Sequence, residues 1–328
     1  MKLDTTYLGI PLPHPLMVGS GPLGDDLDVV RQLEDAGAAA IVLRSLYEEE
    51  ITGEQIDGFL HSEGHGDSSA EAGSYFPDPE SPLGPEEYLE HLRRVKDAVD
   101  IPVFASLNGI TPGGWLSYAR LLEQAGADAL ELHIYHAASD PTTSAAEVER
   151  QAVDTVREVK RGLSIPVAVK LSPFLTAFAH FAGQLDAVGA DGLVLFTRLH
   201  STDIDVQELE VIRTMKLSDS SDLQLRLRGT AALAGRVKAS LAITGGVHTA
   251  LDVIKGTMVG AHVTQMVSAL LRKGPNHLRT VRANLLAWMQ ENEWTSLEEM
   301  RGNMSFERIP DPATYERANF RAMLRSRV

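Results

Sequence analysis

The sequence predicts a (β/α)₈ barrel of the TIM-barrel type, and three observations carry that expectation. Four helical runs end in Gly-Ala and pass straight into an apolar strand, at Gly37-Ala38, Gly126-Ala127, Gly189-Ala190 and Gly260-Ala261. Strand-like runs total eight, each short and nearly continuous in apolar residues, as strands of a parallel sheet covered on both faces should read. The spacing stays regular to the last unit, which favours eight repeats over a five- or six-stranded Rossmann-like sheet.

The elements follow in order. A strand over Pro15–Gly21 leads into a helix over Leu27–Ala36, whose Gly37 supplies a left-handed cap and whose Ala38 lets the chain turn back closely. The second strand, Ala39–Ser45, precedes a helix over Pro85–Val99; the third, Ile101–Asn108, precedes one over Gly114–Ala125. The fourth, Ala129–Tyr135, is followed by a helix over Ala145–Arg161, and the fifth, Pro166–Leu171, by one over Thr176–Val188. Strands Gly192–Thr197, Leu241–Gly246 and His262–Val267 complete the eight, and Leu278, Val281, Leu285 and Trp288 share one face of a closing helix. Thr295-Ser296-Leu297-Glu298 reads as a capping box for a short helix in a tail spanning 292–328. Residues 46–85 and 199–235 break the rhythm and are expected as insertions, both after even strands, on the C-terminal rim where barrel enzymes build their sites. The whole chain, 1–328, is read as one domain.

Composition excludes several classes. With 45 acidic and 30 basic residues the net charge is -15, which argues against nucleic acid or an anionic membrane as partner. There is no signal-peptide core and no apolar run of membrane-spanning length, so a cytoplasmic protein acting on a small molecule is expected. Cysteine is absent, which removes disulfides, thiolate zinc sites, a thiol catalyst and iron–sulfur ligation by this chain.

Candidate chemistry gathers at the C-terminal strand ends. Gly245-Gly246 at the end of the seventh strand and Gln265-Met266-Val267-Ser268 at the end of the eighth sit where barrels commonly bind phosphate, since glycine frees backbone amides and a hydroxyl stands beside them. Lys170, ending the fifth strand, points into the mouth, where its charge needs a partner; it could form a Schiff base, hold a phosphate or neutralise an anionic ring. Ser20-Gly21 and Arg44-Ser45 end the first two strands, and the glycine would let a flat ligand approach the backbone. On the fourth strand Glu131, His133 and Tyr135 alternate toward the axis, with His136 next, a candidate acid or base near neutral pH. Glu131, His133 and His136 lack helpers from other strands, so no metal is expected.

These residues, with TTYLGIPLPHPLMVGSGPLG, ASLNGITPGGW, VAVKLSP, ITGGVHTALDVIKGTMVGAHVTQMVSALL and MRGNMSFERIPDPATYERANF, resemble the dihydroorotate dehydrogenase family over nearly the whole length, and within it the dihydroorotate dehydrogenase-like and dihydropyrimidine dehydrogenase-related members. The resemblance implies FMN at the strand C-termini, its phosphate on Gly245, Gly246, Val267 and Ser268, and its ring bordered by Ser20 and Gly21. It implies further cofactor contacts from Arg44, Ser45, Asn108, His133, Thr197 and Lys170, the last stabilising the anionic reduced ring. The implied reaction oxidises a CH–CH bond beside a carbonyl in a small cyclic amide, with His136 and Lys170 as the catalytic pair. A homodimer is a fold-level expectation, and without cysteine the electrons are expected to leave to a diffusible acceptor or to a separate electron-transfer partner. Against the family pattern, Arg44 stands for a lysine, His133 and Ala138 for asparagines, His136 for a cysteine or serine base, and Thr197 where asparagine is common. The family's orotate-gripping segment has no counterpart in the first insertion beyond Ser74-Tyr75-Phe76-Pro77. Two rival readings remain at this level: a phosphate-binding lyase or isomerase using Lys170, and a non-catalytic flavin-binding relative.

Overall fold

A two-stranded antiparallel hairpin, β1 (Thr5–Tyr7) and β2 (Ile10–Leu12), opens the chain and closes the N-terminal end of the barrel. The computed structural model describes residues 1–51, 84–109, 114–134, 139–198, 203–212 and 216–326. Six barrel strands follow the hairpin: β3 (Leu16–Val18), β4 (Ile41–Tyr47), β5 (Val103–Gly109), β6 (Ala129–Ile134), β7 (Val167–Leu171) and β8 (Gly192–Leu195). A small antiparallel pair outside the barrel, β9 (Asp203–Asp205) with β10 (Glu210–Ile212), precedes β11 (Ser240–Thr244) and β12 (Val263–Met266). Each barrel strand pairs in parallel with the next, β8 with β11 and β12 with β3, so the sheet is a closed eight-stranded barrel. The predicted fold is the observed one.

The Gly-Ala signals work as expected. Gly37, Gly126, Gly189 and Gly260 have φ of 86°, 98°, 97° and 113°. After each, the alanine N–H bonds the carbonyl five residues back: Ala38 to Leu33, Ala127 to Leu122, Ala190 to Leu185 and Ala261 to Gly256. This is the Schellman closure, which satisfies helix-end carbonyls and aims the chain into the next strand. The helices so ended are α1 (Leu27–Asp35), α4 (Gly114–Gln124), α6 (Phe178–Ala187) and α8 (Ala250–Met258); α2 (Glu48–Ile51), α3 (Pro85–Ala98), α5 (Ala145–Gly162) and α7 (Leu223–Leu233) lie among them. α7 occupies the end of the stretch 199–235 and packs on β8 and β11, as the regular helix between those strands.

Two apolar layers result. The barrel interior holds Met17, Val42, Phe104, Val194 and Val263, capped from below by Tyr7, Leu8 and Leu12 of the hairpin. A Cβ on Gly192 would stand 2.3 Å from Leu8 Cδ2, so that strand must be bare where the hairpin passes. The mantle between strands and helices holds the outward residues, among them Leu16, Leu43, Leu92, Leu107, Val156 and Leu185. α9 (Ser268–Lys273), α10 (His277–Glu291), α11 (Leu297–Met300) and α12 (Pro312–Arg325) finish the chain, and α12 buries none of its residues.

The expected capping box is displaced by one residue. Ser296 Oγ accepts the Glu299 N–H at 3.2 Å, and the Glu299 carboxylate takes the Thr295 N–H and hydroxyl. The cause is Lys2, whose N–H donates to Thr295 O and whose carbonyl accepts from Leu297, holding 295–296 extended so that the helix starts at Leu297. Among the described residues no helix is long and apolar enough to cross a membrane.

Candidate active site

The centre of the barrel mouth is a buried ion pair. Lys170 on β7 donates from Nζ to Glu131 Oε1 on β6 at 2.8 Å, and Gln265 on β12 donates from Nε2 to Glu131 Oε2 at 2.7 Å. The three side chains come from three strands and are 7 %, 1 % and 1 % exposed. Glu131 thus gives the partner that the sequence demanded for Lys170. Leaving either charge buried alone would cost on the order of 3–5 kcal/mol. Beneath the pair, the Tyr7 hydroxyl is buried without a hydrogen-bond partner among the described residues, and burial first, then the Glu131 carboxylate, push its pKa up.

In register across three strands stand Asn108, His133 and Lys170. Asn108 Nδ2 lies 2.9 Å from His133 Nδ1, so the amide donates to the ring. Burial, and next the Lys170 charge, push the His133 pKa down to about 3, so its imidazole is neutral at ordinary pH. A neutral, hydrogen-bonded imidazole can orient a polar ligand but is a poor proton donor.

On the other side Ser45 Oγ lies 2.7 Å from Ser106 Oγ and 3.4 Å from Ser20 Oγ. Simple alternation would put Val42 and Arg44 on one face of β4, but the pairing with β5 shifts register between Val42 and Ser45. The extra residue turns Ser45 inward and sends Arg44 aside, where its Nε lies 3.3 Å from Asp25 Oδ1. Tyr88 of α3 secures this bulge: its hydroxyl donates to Arg44 O at 2.7 Å and accepts the Ser106 N–H at 3.2 Å. Of the pair Arg44-Ser45, the serine joins the inner group and the arginine lies at its edge.

The last two strands build a polar turn. Gly245 and Gly246 have φ of 83° and 81°, and a Cβ on Gly246 would stand 2.4 Å from Leu223 N, so α7 starts directly against this turn. The Gly246 N–H donates to Ser218 Oγ at 3.3 Å, and the Ser218 N–H donates to Ser268 Oγ at 3.1 Å. His248 Nε2 lies 3.1 Å from Ser218 Oγ, and Arg272 donates to the carbonyls of Ser218 and Leu217. Gly246 and Ser268 are therefore joined through Ser218. Val267 enters differently: a Cβ on Gly21 would lie 2.9 Å from its Cγ1, and one on Gly19 3.1 Å from its Cγ2, so these glycines make room for the valine. Thr197, after β8, is buried, and its N–H donates to Leu171 O at 2.8 Å.

His136 and Tyr135 lie outside the described residues. Among the described residues no three acidic, histidine or cysteine side chains cluster as a metal site. Ser106, Ser218 and Tyr88 were missed as site residues, and Gln265, expected in a phosphate-binding stretch, instead bonds Glu131 inside the barrel. Ser218 and Tyr88 act from a loop and a helix and left no periodic mark.

The mouth thus combines a cation-carboxylate pair, an amide-imidazole pair, three hydroxyls and a glycine turn, an arrangement able to grip a flat polar ligand by its edge. The sequence profile described as "Dihydroorotate dehydrogenase" matches residues 2–289. The chain is 25% identical over 315 residues to the "Dihydroorotate dehydrogenase B (NAD(+)), catalytic subunit" of Methanocaldococcus jannaschii, covering 92% of this chain and 97% of that protein. It is 26% identical over 312 residues to the protein of the same name from Thermoplasma acidophilum, with 92% and 98% covered. To the "NAD-dependent dihydropyrimidine dehydrogenase subunit PreA" of Escherichia coli it is 25% identical over 319 residues, with 92% and 76% covered. With the profile spanning all eight barrel strands, the chain belongs to the dihydroorotate dehydrogenase family and is an oxidoreductase.

Proposed function

We propose that the chain is an FMN-dependent dehydrogenase that oxidises a CH–CH bond beside a carbonyl in a small cyclic amide of the dihydropyrimidine class. The observation that carries this reading is the Lys170–Glu131–Gln265 group in the floor of the mouth, because a barrel interior would otherwise be aliphatic at those positions. The residues fit a flavin: Gln265 Oε1 is buried without a partner, and the Gly245-Gly246 turn with Ser218 and Ser268 supplies N–H and hydroxyl groups of the kind that hold a phosphate. When bound, FMN would supply hydride acceptance.

The chain's own residues would do the rest. Ser218, Ser268 and the Gly245-Gly246 turn would hold the phosphate, with Val267 filling the wall next to Gly19 and Gly21. Lys170, Asn108, Ser20 and Ser45 would orient the ring and its substrate, with Arg44 and Thr197 at the periphery. His133, neutral, would take the place of an amide as a hydrogen-bonding group. His136 would move the substrate proton. The lack of cysteine and the relatives' designation as catalytic subunits support a separate electron-transfer subunit, and the proposal takes the chain as a cytoplasmic homodimer. The Schiff-base alternative is disfavoured by the ion pair, since that nucleophile must be a neutral amine and Lys170 stands against a carboxylate.

The experiment is an absorption spectrum of the purified protein, followed by anaerobic mixing with dihydroorotate, dihydrouracil and related cyclic amides. Flavin bands that bleach with one of these are expected. A protein that is colourless and takes up no added FMN would refute the reading.

A further inference from the structure

Within the flavin reading, one group is more elaborate than a simple cation requires. Lys170 does not face the mouth as a bare charge: Glu131 neutralises it at 2.8 Å, and Glu131 is itself fixed by Gln265 from the far side of the barrel. The amide orientation is determined by chemistry. An ionised carboxylate only accepts, so Nε2 must point to Glu131 and Oε1 must point away, where it lies 3.2 Å from the position a Cβ on Gly19 would occupy. Glu131 has both oxygens engaged and is 1 % exposed, so water contributes little to its screening.

We propose that Glu131 is a positioning residue that holds the Lys170 ammonium in place and cancels most of its field, and that Gln265 tunes this by drawing charge from the carboxylate. The mouth therefore presents a nearly neutral pair to the ligand, which limits how strongly an anionic ring is favoured over a neutral one. Among the described residues the other titratable groups facing the pair are His133 on β6 and Tyr7 on the hairpin, both neutral at ordinary pH. Two substitutions then act with opposite sign. Glu131→Gln uncovers the ammonium; Gln265→Met keeps the volume and the charge count but leaves the carboxylate a stronger partner for Lys170.

The test is the midpoint potential of bound FMN, measured anaerobically between pH 6 and 8, with the dissociation constants of oxidised and reduced FMN. Glu131→Gln should favour reduced over oxidised FMN about tenfold, an upward shift of about 30 mV for a two-electron couple. Gln265→Met should move the ratio the other way, about threefold. Glu131→Asp should return the potential toward wild type even if binding weakens. A merely structural pair would alter stability and leave the potentials alone. Should Glu131→Gln fail to fold, the sign of the Gln265→Met shift decides. Equal potentials in wild type and the folded variants, or shifts of the same sign, would overturn the proposal.

A second arm needs no flavin: limited acetylation with acetic anhydride, mapped by mass spectrometry, should label Lys170 more than fivefold faster in Glu131→Gln than in wild type, with the exposed lysines as internal standards. If wild type binds no FMN, the functional reading falls while this arm still decides the pair. Unchanged labelling would overturn it.

Discussion

Acid should destabilise this protein before its carboxylates protonate, because three histidines are folded in the neutral form. His14 Nδ1 accepts the Leu16 N–H at 3.3 Å, His262 Nδ1 accepts the Leu241 N–H at 3.0 Å, and His133 accepts from Asn108. A proton on those nitrogens breaks each bond. Burial is the leading cause in all three, with Arg282, Arg301 and Lys170 respectively adding repulsion, and the values fall from 6.5 to about 4, about 4 and about 3. His248 is displaced in the same direction. The unfolded chain protonates these rings near pH 6.5 and the folded chain does not, so their contribution is complete above that value and is lost as pH falls toward 4. Between pH 7.5 and 5 each loses about 2 kcal/mol, about 6 kcal/mol for three as an upper bound, against a typical total of 5–15 kcal/mol. The assay is urea unfolding at the two pH values, where the midpoint should fall by on the order of 2 M. His262→Gln, which cannot titrate, should remove about a third of that pH dependence. A midpoint equal at pH 7.5 and 5, or a His262→Gln variant with the full wild-type dependence, would refute the reasoning.

Three further outcomes follow from particular contacts. Lys170→Met alone should destabilise the protein by about 3–5 kcal/mol in thermal or urea unfolding, and adding Glu131→Gln should recover most of it, since the pair and not the charge is what the interior tolerates. Tyr88→Phe should cost about 2 kcal/mol and weaken FMN binding, because the bulge loses the hydroxyl that bonds Arg44 O and Ser106 N and that presents Ser45. Gly246→Ala should lower the melting temperature and abolish FMN retention, as its Cβ would meet Leu223 N at 2.4 Å from a backbone with φ of 81°.

The barrel was legible because its signals are local. A Gly-Ala pair fixes a helix end within six residues, and a short apolar run bounded by such turn signals reads as a buried strand, so all eight strands were readable. The hairpin Thr5–Tyr7 with Ile10–Leu12 was not, since three-residue strands are too short to show a period. At the site, alternation pointed Glu131 and His133 inward correctly. It does not reveal the turn of Ser45 inward with Arg44 at the edge, because a bulge shifts the face without any change in the pattern of residue types. What pairs with what was the illegible part: Glu131 meets a glutamine 134 residues away, and no spacing rule joins them.

The hairpin has a consequence for the order in which the chain can be finished. Leu8 N bonds Ser240 Oγ, Thr5 Oγ1 bonds His262 O and receives a bond from Arg301, and Lys2 pairs with residues 295 to 297. The first dozen residues leave the ribosome early and find these partners only when the last barrel strands have been made. Until then Tyr7, Leu8 and Leu12 have no floor to form, and an incomplete barrel exposes its interior along an open strand edge. Closure is therefore a late event in synthesis, held by contacts that span nearly the whole chain, and slow synthesis of the final third is where such a chain is most exposed to misassembly.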